Sequence, residues 1–178
     1  VGSAFKKVYF DPTMQRAVSK FVHSEDLIVP YSATDLATAT RITHCIRMDK
    51  NEIKKLQLSG FYKDIDLPSS GADSDGTNDV KDTINEIEGI TSSSSQNEEM
   101  MIYEVHTDLD IEGFEDIGAD GEPTGLKMPY IVTIMEDTGD VLSIKRNFNE
   151  SDPLRRKVPY FVHYKFLPGL GFYGFGLT

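Results

Sequence analysis

Apolar and polar positions alternate with a period of two along much of this chain, the signature of half-buried β-strands. Phe5, Val8 and Phe10 open the pattern with residues of high β-propensity, Asp11-Pro12 starts a turn with φ already set, and the pattern resumes from 18 to 22. Leu27-Ile28-Val29 forms a short apolar run that Pro30 ends, because proline donates nothing to a ladder. Two or three short strands in a meander are therefore expected here. ATDLATAT has no clear period and is expected to cross the surface. RITHCIRM returns as a strand, with Ile42, His44 and Ile46 on one face and Thr43, Cys45 and Arg47 on the other. MMIYEVHTDLDIEGF sets Ile102, Glu104 and His106 against Tyr103, Val105 and Thr107. A hairpin follows, with strands over 128–135 and 141–148 around a turn at 137–140, and a last strand is expected over 160–167.

One segment breaks to a helical period. In MDKNEIKKLQLSGFY, Asp49 stands three residues before Glu52 as a capping pair, Ile53, Leu56 and Leu58 supply an apolar stripe, and Gly60 fits a left-handed stop. Lys54 and Lys55 fall on the outward, solvated side. From 68 to 99 the composition shifts to Ser, Gly, Asp, Asn and Glu with no aromatic residue. Such a stretch cannot bury enough apolar area to offset its ordering entropy, so a mostly mobile acidic insertion on a single domain is expected. About seven or eight mostly antiparallel strands with one helix define an α+β fold rather than alternating βα units.

Charge sharpens this picture. The net charge is −11, but residues 1–63 carry ten Lys/Arg against six Asp/Glu, residues 64–140 carry two against twenty-one, and residues 141–178 carry six against two. An acidic middle third repels a phosphate backbone, which argues against sequence-reading of a duplex. No run approaches the roughly 18 apolar residues of a membrane span, so no membrane partner is expected. The single cysteine, Cys45, allows no internal disulfide and reads as a small hydrophobe. Val1 at one end and an unfinished apolar run at the other suggest a piece of a longer polypeptide.

Candidate chemistry is sparse. Gly169, Gly171 and Gly174 spell G-x-G-x-x-G, but Leu170, Phe172 and Tyr173 would crowd a phosphate, and no helix or distal acidic residue follows. A calcium loop starting at Asp116 fails at its third position, Gly118, and at its twelfth, Lys127. His23, His44, His106 and His163 are far apart, with no H-x-x-x-H or H-E-x-x-H spacing, and no G-x-S-x-G elbow is present. No catalytic, cofactor or metal residue is therefore assigned. Arg155, Arg156 and Lys157 form the one local basic patch, suited to phosphate or an acidic partner.

The succession KVYFDP, SEDLIVPYSATDL, RITHCIRMDKNEIKKL, GEPTGLKMPYIVTI, GDVLSIKRNF and YFVHYKFLPGLGFYGFGL resembles the wing region of portal proteins from short-tailed phages, just before the long stem helix. Outside 68–99 the resemblance covers most of the chain. It implies a non-enzymatic part of the connector ring at one capsid vertex, made in the bacterial cytoplasm and carried in the virion. The implied partners are other portal subunits and capsid or scaffolding protein, with terminase and tail proteins meeting other regions, and DNA passing through without sequence-specific contact. LPGLGFYGFG then reads as a join from wing to stem, with Phe172, Tyr173 and Phe175 packing on a neighbouring subunit or the stem. The competing expectation is a stand-alone β-rich module that recognises a peptide or carbohydrate.

Overall fold

The computed structural model describes residues 2–11, 14–68, 99–118, 120–169 and 171–176. Nearly all of the expected 68–99 insertion lies outside the described residues. Among them, eight strands and one helix form an α+β fold of two antiparallel sheets. The strands are β1 (Ser3–Asp11), β2 (Arg16–Val22), β3 (Leu27–Ile28), β4 (Arg41–Asp49), β5 (Glu99–Leu109), β6 (Met128–Met135), β7 (Val141–Arg146) and β8 (Phe161–Lys165). Helix α1 (Lys50–Leu58) follows β4 directly. The larger sheet has the order β3-β4-β5-β6-β7 and the smaller one β2-β1-β8, so the last strand returns to pair with the first.

Register decides which residues share a face. Across the large sheet, Ile46 opposes Ile102 and Met135 continues the row; next come His44, Glu104, Thr133 and Ser143, then Ile42, His106, Ile131 and Lys145. A bulge between Thr133 and Ile134 leaves Leu142 without a ladder partner, and its side chain is buried at 1% exposure. This one face receives two covers. Helix α1 and the segment after it cover one end, packing Ile53 and Tyr62 on Met100, Ile102, Met135 and Leu142. The small sheet belongs to the other cluster, where Phe5, Val22 and Phe161 pack with Leu27, Ala33, Ala39, Ile42 and Phe172.

The helix differs from expectation in its details. Asp49 occupies the N-cap position with extended backbone, but its side chain caps nothing. Leu58 points outward, and Gln57 is buried in its place because its amide donates to the carbonyls of Lys63 and Ile65, holding the next segment against the sheet. Gly60 takes the left-handed conformation expected of a C-terminal stop, with φ at 74°.

Candidate functional site

Between the two apolar clusters lies a buried polar seam. Alternation on β1 turns Phe5 and Lys7 to the inside, and on β5 it puts Glu104 and His106, facing them, on the same side as Ile102 under α1. The Lys7 ammonium sits 2.7 Å from the Glu104 carboxylate, and His106 Nε2 lies 2.8 Å from Glu104 Oε1. One carboxylate thus binds a cation from the small sheet and an imidazole from its own strand. Burial pushes the Glu104 carboxyl up, but the His106 hydrogen bond and the Lys7 charge outweigh it and hold it at about 2. Lys145, in the same row as His106, stacks over the Phe61 ring, and burial lowers its ammonium to about 8.

Three imidazoles converge on this interface, although they are far apart in the sequence. His44 and His106 each stand edge-on to Phe161, with ring centroids 5.5 and 5.3 Å apart. His163 stacks between Phe5, at 4.4 Å, and Phe172, at 4.8 Å, with its Nε2 3.0 Å from the Ser3 hydroxyl. His44 Nδ1 is buried with no partner, and burial, reinforced by the Lys7 charge, lowers its imidazole to about 4. Burial and Lys165 also lower His163. His23 lies apart and exposed, edge-on to Phe21. Among the described residues no group of three or more His, Cys, Asp or Glu side chains is arranged to hold a metal ion.

The seam opens at His106 into a cleft of about 570 Å³ lined by Asp108, Asn147, Lys157, Tyr160 and Phe161 among others. Its walls are mostly carbon, and Tyr160 stands edge-on to His106 at 5.5 Å. His163, whose Nε2 meets the Ser3 hydroxyl, also lines it, and its two cations are already engaged: Lys157 donates to the Ala39 carbonyl at 2.8 Å and Arg156 to Asp152 at 2.8 Å.

The residues singled out in the sequence separate in space. Arg155 turns to Asp116 and the Glu150 carbonyl, Arg156 to Asp152 and Lys157 to Ala39, so the three cations face three different partners. Phe172 is buried inside this chain's own core, Tyr173 donates its hydroxyl to the Leu27 carbonyl, and Phe175 remains exposed. The glycine segment folds back as a turn: Phe175 N–H donates to the Leu167 carbonyl and Gly174 N–H to the Ser3 hydroxyl. A Cβ on Gly174 would stand 2.7 Å from the Gly2 carbonyl oxygen, which explains this glycine by close backbone approach.

The outer face of the small sheet was not singled out from sequence. There Val8, Phe10, Phe21, Val162 and Tyr164 are each 45 to 59% exposed, with Lys6 among them. The signal was available, because β1 and β8 carry apolar residues at both odd and even positions, a pattern that burial on one face alone does not require. No protein-family model and no curated protein matches the chain.

Proposed function

We propose that this chain is a wing-region part of a tailed-phage portal and works by contact with neighbouring protein, not by converting a substrate. The observation that carries this reading is the outer face of the β2-β1-β8 sheet. Five large apolar side chains stand there half in water, and contiguous exposed apolar patches of this kind mark protein–protein surfaces. The motifs that resemble portal wings supply the class of assembly: other portal subunits and capsid or scaffolding protein as partners, at the virion vertex through which DNA is packaged. The inter-sheet ion pair supports a scaffold role as well, since it fixes one layer on the other.

The test is to express this chain joined to the helical stem that the resemblance places after it, and to image it by negative-stain microscopy. Closed rings are expected, and Phe10→Glu with Phe21→Glu should abolish them while leaving a folded monomer. Monomers at every concentration count against the portal reading. A second reading, a stand-alone module that recognises a peptide or carbohydrate, is favoured by the aromatic-walled cleft beside His106. Saturable binding on a glycan or peptide array, lost when Ala37→Phe blocks the cleft, would support it instead.

A further inference from the structure

We propose that the contact between the two sheets is an acid-operated joint: protonation of His44 and His163 parts the small sheet from the large one while the helix-covered half of the large sheet stays folded. The argument starts from where the imidazoles stand. Among the described residues, three of the four histidines contact the rings of Phe5, Phe161 and Phe172, which join the two layers. The cluster under α1 contains Ile53, Tyr62, Met100, Ile102, Met135 and Leu142, and no imidazole. Acid therefore acts on one cover of the sheet and not on the other.

The charges facing these rings decide the direction. His44 meets Lys7 from β1, Lys20 from β2, and Glu104 and His106 from β5; His163 meets Lys165 on its own strand and the uncharged Ser3 hydroxyl from β1. Lys145 on β7 adds a further ammonium acting on the same Glu104. A proton placed on His44 enters a setting of two lysines whose one facing carboxylate already holds Lys7 and His106. Its Nδ1 has no acceptor to give that proton to. Parting the layers returns both imidazoles to water, where they accept protons near their ordinary value of about 6.5. The parted state binds more protons, so acid favours it.

Amide exchange followed by NMR on the whole chain, corrected for intrinsic rates at each pH, tests this. Between pH 7 and pH 4.5 the amides of β1 and β8 should lose protection by about tenfold or more, while those of the β5–β6 pairing near Ile102 keep theirs. The His44 ring protons should titrate with the same midpoint. His44→Phe with His163→Phe keeps flat rings in both contacts and removes the protons, so the transition should move down by at least about one pH unit. An unchanged midpoint overturns the proposal. Should that variant not fold at pH 7, the wild-type chain decides alone: even loss of protection across both sheets, or titration of His44 with β1 and β8 still protected, overturns it equally.

Discussion

The large sheet buries one face under two different covers, and the difference between them is chemical as well as geometric. Under α1 the contact is carbon on carbon, with Ile53, Ile102 and Met135 fully buried and Leu142 nearly so. Under the small sheet, carbon contacts surround a lysine, a glutamate and three imidazoles. An apolar contact is nearly indifferent to pH. A contact containing buried titratable groups holds only while their protonation suits it. The same sheet therefore carries one permanent cover and one conditional cover.

The largest expected effects come from removing the rings that make the conditional cover. Phe5→Ala deletes a side chain with 0% exposure that stacks on both His163 and Phe172. A loss of about 3–5 kcal/mol is expected from urea denaturation at pH 7. Ile102→Ala in the other cluster should cost about 2–5 kcal/mol. The comparison sharpens on repeating both at pH 5: the Ile102 penalty should be unchanged, whereas the Phe5 penalty should shrink because the wild-type joint is already weakened there.

Breaking the ion pair comes next. Glu104→Leu strands the Lys7 ammonium in a buried site and should cost about 3–5 kcal/mol, mostly from the uncompensated charge. Adding Lys7→Met removes that charge and should recover most of the loss. If the double variant is no more stable than Glu104→Leu, the seam is stabilising through geometry that apolar side chains do not replace.

The pH dependence follows with a definite sign. His44 is lowered to about 4 in the folded chain from an ordinary 6.5, so the unfolded chain binds its proton first. Stability is complete above pH 6.5 and falls as pH drops toward 4, by roughly 3 kcal/mol in all. Glu104, held at about 2, then withdraws its own contribution between about pH 4.5 and pH 2. Urea midpoints at pH 7, 5.5 and 4.5 check the first window, and His44→Phe should flatten it.

How much of this was legible in the sequence differs between the two covers. The strands followed from alternation, and β4, β5 and the β6–β7 hairpin fell within a few residues of their expected places because each is a local pattern. Ile102, Glu104 and His106 were already readable as one face. A glutamate two residues from Ile102 on that face, like Lys7 two residues from Phe5, is the available sign of a buried pair. What alternation does not carry is pairing across the chain: β1 meets β8, and only that return brings His163 beside Phe5 and Phe161 beside His44. The split into two sheets was equally out of reach, since period two is the same in either sheet. Phe172 reads as an interface residue through the resemblance to portal wings, where a large aromatic in the join would pack on a neighbour. It is buried because the glycines around it let the backbone fold back over Gly2.

The helix end gives a smaller effect on the permanent cover. Gly60 holds φ at 74° with open space around it, so Gly60→Ala meets no neighbour and is penalised by backbone conformation alone. About 1 kcal/mol is expected, at pH 7 and pH 5 alike. The smallest effect belongs to the exposed pair between Lys54 and Asp64, 3.2 Å apart, which links the outer side of α1 to the segment after it. Both side chains are more than half in water, so Asp64→Asn should shift stability by under about 0.5 kcal/mol, and 0.5 M salt should erase the shift. A larger, salt-resistant loss would mean that the segment after α1 is held to the helix by this pair instead of by the Gln57 amide.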